Sequence, residues 1–171
     1  MSKKFYETKI VGVGGDVPKF LSAIKMLVLF DDSMVLPELR NFSVLHSGNK
    51  LDGVIKPGDI LKVADSEFKI LKVGGEVHSN IRTLGHVIIK FDGGEGDLME
   101  GSIHVENKPI PNIQIGDSIS IREAGAEALI GKNIALVGAD GDVAQALKKI
   151  FLDNGAVISD ENNADIVVNV K

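Results

Sequence analysis

From Phe5 to about Arg122 the chain alternates apolar and polar positions in short runs, each broken by Gly, Pro or Asp. The runs are Lys9–Val13, Met26–Phe30, Phe42–Leu45, Ile60–Val63, Phe68–Val73, His86–Phe91, Gly101–Val105 and Ser118–Ile121. Period-two alternation in β-branched segments bounded by turn formers predicts a mainly β domain, a barrel or a sandwich. Two stretches read as short peripheral helices: Pro18–Ile24, after a Gly-Gly-Asp turn, and Glu76–Leu84. Ile55-Lys-Pro-Gly58-Asp59-Ile-Leu61-Lys-Val63 echoes Ile113-Gln-Ile-Gly116-Asp117-Ser-Ile119-Ser-Ile121. The echo is expected to be ordinary barrel grammar, a Gly-Asp turn launching a strand, rather than a duplication.

The pattern changes after Arg122. Residues 123–131 are Ala/Gly-rich and linker-like, and residues 132–171 switch from period two to 3.6 and back. Asn133–Val137 is a buried-strand run, a helical segment ends near Asp153, and Ala156–Ser159 and Asp165–Val170 offer two more strands. This is βαβ grammar, so the expected organisation is a β domain over residues 1–122 and a small βαβ-like appendage.

Composition narrows the function. Nineteen Lys and Arg against 24 Asp and Glu give a net charge of −5, and no basic cluster alternates with aromatics, so nucleic acid is not an expected partner. A hydrophobic fraction of 44% supports a folded core. The absence of cysteine removes disulfides, thiolate metal sites and a phosphocysteine carrier, and fits a reducing cytosol. Met1–Thr8 lacks the apolar stretch of a signal peptide, so no export is expected. The longest apolar run, Met26–Phe30, falls far short of the roughly 20 residues that span a bilayer, so membrane contact would require a partner.

The candidate chemistry lies in the histidines. His46 ends an apolar run and precedes the small residues Ser47 and Gly48, a placement that presents an imidazole at a rim. Neutral imidazole is a nucleophile and a good leaving group, suited to carrying a transferable group for a short time. His86 opens one strand and His104 lies within another, while His78 sits in a polar stretch. No His-x-His or His-Glu-x-x-His spacing appears, and no metal is expected.

Met26-Leu-Val-Leu-Phe30, Phe42 through His46-Ser-Gly, Leu51-x-Gly53, Pro57-Gly58, Leu84-Gly85-His86-Val87 with Phe91-Asp92-Gly93, and Gly101-Ser-Ile-His104-Val105 together resemble the glucitol/sorbitol-specific IIA component of the bacterial phosphotransferase system. The order and spacing match over about residues 5–121. The resemblance implies a compact β pseudo-barrel acting as a cytoplasmic phosphocarrier without a cofactor. It would accept a phosphoryl group from HPr and pass it to the IIB domain of the sorbitol permease. In that family the phosphorylated histidine falls where His46 stands. Backbone N–H groups around Ser47 and Gly48 would hold the phosphate, and His86 or His104 would supply a supporting imidazole. Some members carry a second histidine two residues on, where this chain has Gly48, leaving Lys50 or another histidine to compensate. A homodimer is also plausible, since β edges pair across subunits.

In the appendage, Gly138-x-x-Gly141-x-x-Ala144 followed by Asp160 resembles the opening unit of a short-chain dehydrogenase/reductase. The 40 residues available cannot build the full dinucleotide cleft, and the sole tyrosine is Tyr6, so the family's Tyr-x-x-x-Lys pair is missing. The alternative to a phosphocarrier is a non-catalytic β-barrel regulatory module whose half-domain binds a nucleotide. A metal-dependent hydrolase using His46, His86 and His104 comes third.

Overall fold

The computed structural model describes residues 3–48, 50–124, 132–138, 141–153 and 155–169. It resolves two compact units, one spanning Lys3–Glu123 and the other running from Ala124 onward. Most of the expected linker, residues 125–131, lies outside the described residues.

The first unit is a closed barrel of eight strands: β1 (Lys4–Val13), β2 (Met26–Asp31), β3 (Ser43–Ser47), β4 (Ile60–Val63), β5 (Ser66–Val73), β6 (Val87–Lys90), β7 (Ser102–Val105) and β8 (Ser118–Arg122). Around the barrel they run β1-β3-β2-β6-β7-β5-β4-β8, with β1 closing antiparallel on β8. Two short helices, α1 (Val17–Ile24) and α2 (Val77–Leu84), each lead into a strand. Each ends in a left-handed residue, Lys25 or Gly85. The barrel is filled by alternate side chains, among them Leu29, Leu61, Ile70, Phe68, Phe91 and Ile103. Phe68 and Phe91 meet edge to face with centroids 4.9 Å apart, the arrangement the aromatic quadrupole favours.

The echo between Gly58-Asp59 and Gly116-Asp117 extends through the whole barrel, contrary to the expectation of ordinary turn grammar. Exchanging β1 with β5, β2 with β6, β3 with β7 and β4 with β8 returns the same closed strand order. The hydrogen bonds repeat in step. Gly14 N–H donates to Ser43 O and Gly74 N–H to Ser102 O, while Asp16 N–H donates to Asn41 O and Glu76 N–H to Glu100 O. Lys56 N–H donates to the carboxylate of Asp59, as Gln114 N–H does to that of Asp117. The barrel is therefore two β-α-β-β-β halves related by a pseudo-two-fold.

The second unit is a three-stranded parallel sheet, β9 (Asn133–Val137), β10 (Val157–Ile158) and β11 (Ile166–Asn169), in the order β10-β9-β11. The helix α3 (Gly141–Asp153) connects β9 to β10. Gly138 and Gly141 have positive φ, while Ala139 and Asp140 between them lie outside the described residues. Asp160 caps a 3-10 turn by accepting from Asn162 N–H and Asn163 N–H, so its carboxylate already has partners. Among the described residues, no helix is long and apolar enough to cross a membrane.

Candidate functional site

His46 lies on β3 two residues after Val44, which belongs to the barrel core, so parity turns its ring inward. Its relative exposure is 0%, which corrects the expectation of an imidazole presented at a rim. Both ring nitrogens are engaged. Nε2 stands 2.6 Å from Gly85 O, and Nδ1 stands 2.8 Å from Thr8 Oγ1. A carbonyl oxygen only accepts, so the proton of the neutral ring sits on Nε2. Nδ1 then keeps its lone pair and accepts from Thr8, whose hydroxyl has Ser47 O at 3.1 Å as its other acceptor. The fold thus fixes one tautomer and leaves one nucleophilic nitrogen.

The Gly85 carbonyl arrives through the cap of α2. Gly85 has φ +57, and a Cβ there would lie 2.7 Å from the Asp31 Cβ and 3.0 Å from His46 Nε2. Only glycine allows this approach.

Asp31 is paired with His46 across β2 and β3. Its carboxylate accepts from the Ser33 hydroxyl, from Ser33 N–H and from Gly48 N–H at 3.1 Å. These bonds, the Ser33 hydroxyl foremost, hold Asp31 below the usual carboxylate range against its partial burial. A fixed negative charge therefore stands beside the imidazole.

Tyr6 completes the surroundings. Its ring meets His46 edge to face, with centroids 6.5 Å apart and planes at 72°. It is 3% exposed, and its hydroxyl has no hydrogen-bond partner among the described residues. Burial, helped by the charge of Asp31, pushes the phenol well above its ordinary range.

The other sequence candidates are placed differently. Gly48, at φ +127, spends its N–H on Asp31. Ser47 is exposed and contributes its carbonyl to Thr8, and Asn49 lies outside the described residues. Lys50 Nζ pairs with Asp52 at 3.2 Å and is 82% exposed, so it is not drawn toward the ring. His86 follows Gly85 directly, stacks on Phe30 at 4.0 Å and directs Nδ1 to Leu29 O. His104 is buried on β7 with Nδ1 about 3.0 Å from the Asp92 carboxylate and Nε2 without a partner among the described residues. Neither ring is a hydrogen-bond partner of His46. His78 Nε2 accepts from Ile55 N–H, a structural bond. Among the described residues no three His, Asp or Glu side chains form a group able to hold a metal. A groove of about 600 Å³ between α1 and residues 107–113 contains none of the histidines.

Sequence reasoning missed Thr8, Asp31 and Gly85 as site residues. The available signal was the Tyr6-x-Thr8 alternation, which puts two hydroxyls on one face of β1.

Burial lowers the His46 pKa below the ordinary 6.5, outweighing the Gly85 carbonyl and Asp31, and burial lowers that of His86 likewise. Each ring binds its proton less readily folded than unfolded, so each contributes stability that is full above pH ~6.5 and shrinks as pH falls through the folded values. Urea titrations between pH 7.5 and 5 should therefore show stability falling on acidification, with a smaller fall in His46→Gln. A flat profile across that interval would contradict the assignment of buried neutral rings.

The family model described as "PTS system glucitol/sorbitol-specific IIA component" matches residues 5–120. Curated proteins from Shigella flexneri and Escherichia coli K12, each described as "PTS system glucitol/sorbitol-specific EIIA component", are 29% identical over 107 residues. The aligned stretch covers 63% of this chain and 85% of each relative. The crystal structure of a PTS system IIA component from Enterococcus faecalis V583 is similar with a TM-score of 0.59 at 23% identity. It covers 67% of this chain and 97% of that one, and at that identity the likeness concerns the fold.

Proposed function

Because residues 5–120 place the chain in the glucitol/sorbitol-specific IIA component family of the phosphotransferase system, we propose that the barrel is a phosphocarrier whose phosphoryl group is borne on His46 Nδ1. The observation that carries this reading is the pair of bonds to the ring. Gly85 O occupies Nε2–H, and Nδ1 carries the ring's one lone pair, which can attack phosphorus once the Thr8 hydroxyl turns its proton to Ser47 O.

In the step proposed, the Nδ1 lone pair attacks a phosphoryl group held on a histidine of the donor, HPr. The bond from phosphorus to the donor nitrogen breaks, and its electron pair returns to the donor imidazole. Nε2 keeps its proton throughout. The Gly85 carbonyl dipole and the Asp31 carboxylate stabilise the positive charge that develops on the ring. The reverse chemistry delivers the group to the IIB domain of a glucitol/sorbitol permease. A phosphoramidate suits a carrier because imidazole is both nucleophile and leaving group; a serine ester at Ser47 would be too stable to pass on. Lowering the His46 pKa keeps the ring neutral, and so nucleophilic, at neutral pH.

Since His46 is fully buried, the donor's approach requires local opening around the imidazole. The setting is cytoplasmic, where HPr and the permease's soluble domain would both be reached. In this reading the chemistry belongs to residues 1–122. The C-terminal unit takes no part in the relay.

The test is a reconstituted relay with phosphoenolpyruvate, Enzyme I and HPr acting on 15N-histidine-labelled protein. One added phosphate, with phosphorus coupled to Nδ1 of His46 in the nitrogen spectrum, is the expected result. Coupling to Nε2 would mean the Gly85 bond breaks before transfer. A protein left unlabelled by an active relay would end the carrier reading.

A further inference from the structure

The hydroxyl of Tyr6 is an anomaly that the phosphocarrier reading has not used. A buried phenol normally finds an acceptor, and leaving one unpaired is destabilising. Tyr6 is 3% exposed and its oxygen has no partner among the described residues. The position is nevertheless well built. Tyr6 Cα is opposite Ile121 on β8 and forms an antiparallel bridge with Leu51, and the ring joins the barrel core.

Its location relative to His46 gives the anomaly a direction. Tyr6 and Thr8 are two apart on β1 and both buried, so they share the inward face, and Thr8 is the residue whose hydroxyl meets Nδ1. The Tyr6 ring stands edge-on to the imidazole at 6.5 Å. The hydroxyl makes no hydrogen bond to the unmodified ring. Burial, and after it the charge of Asp31, hold the phenol protonated and so a donor. A donor with no acceptor, on a ring that packs against the imidazole and shares a strand face with the hydroxyl that meets Nδ1, is placed to serve a ring that gains three phosphoryl oxygens.

We infer that the Tyr6 hydroxyl is the hydrogen-bond donor to the phosphoryl oxygens on His46, acting from the same strand face as Thr8. The inference rests on the phosphocarrier reading and names a group that touches the transferred phosphate. Tyr6 satisfies its hydroxyl only in the phosphorylated state, so the unphosphorylated protein holds an unmet donor in reserve.

Two measurements test it. Tyr6 is the only tyrosine of the chain, so protein grown on [13Cζ]-tyrosine gives one resonance, which the unlabelled relay proteins do not obscure. That resonance should move when the protein is phosphorylated and return when the phosphate hydrolyses. In the second, Tyr6→Phe keeps the ring and removes the hydroxyl. It should accept phosphate from HPr on the order of a hundredfold more slowly, the loss typical of one oxyanion donor. Its melting temperature should stay level or rise, because an unmet buried donor has gone. A packing role alone would leave the rate unchanged. If wild type is labelled while the resonance stays still and Tyr6→Phe reacts at the wild-type rate, this inference is overturned and the carrier reading survives. If wild type itself is never labelled, both fall together.

Discussion

Replacing His46 by alanine is expected to remove phosphoryl acceptance altogether, a loss of at least about a thousandfold in rate, because the nucleophile and the leaving group are the same atom. The substitution also reaches the fold. It strands the Gly85 carbonyl in a buried space and opens a cavity, which together cost about 2–4 kcal/mol, while the Thr8 hydroxyl keeps Ser47 O as its acceptor. His46→Gln separates the two effects, since an amide N–H can still donate toward Gly85 O while no nitrogen lone pair faces phosphorus. Intact mass in base reads the label, and urea titration reads the stability. The glutamine variant should be unlabelled yet more stable than the alanine variant. A base-stable phosphate on either one would move the phosphorylated residue elsewhere in the chain.

The largest structural effect is expected at a pair of glycines that do no chemistry. A Cβ on Gly14 would sit 2.3 Å from Asn41 O and 2.4 Å from Arg40 O; on Gly74 it would sit 2.3 Å from Glu100 O and 2.4 Å from Met99 O. These neighbours are main-chain atoms and cannot rotate aside. Gly14→Ala or Gly74→Ala should each cost about 3 kcal/mol or more, lowering the melting temperature by about 10 °C. Gly58 and Gly116 supply the control. They have φ +99 and +98 with nothing within 4 Å of a built Cβ, so alanine there meets backbone strain alone, about 1–2 kcal/mol. Equal losses at all four positions would refute the steric account.

The strands were legible in the sequence because alternation is a local signal. Met26–Phe30, Ile60–Val63 and Ser118–Ile121 were found within a residue or so of their observed ends. The miss at β1 has a physical cause. A register shift between Lys4 and Tyr6 lets the adjacent Phe5 and Tyr6 both enter the core, which breaks the two-residue period where it would have announced a strand. With that half-strand unread, Thr8 went unread as well. The repeat escaped for another reason. Its surviving sequence marks are few, the Gly-Asp pairs and Val13-Gly-Gly-Asp-Val17 against Val73-Gly-Gly-Glu-Val77, while the rest is carried by main-chain bonds that many sequences can make. His46 was singled out from its neighbours, but its burial was not, because Gly85 comes to it from 39 residues away.

That last contact has an evolutionary consequence. Every residue type owns a carbonyl, so no substitution at Gly85 can delete the group that holds Nε2; a substitution can only move it. Drift at the position would be punished through the added side chain, which collides with Asp31, and selection would preserve the proton's location while registering nothing beyond an intolerance of bulk. A part of the candidate site written in the main chain leaves its mark on a lineage only as an absent side chain.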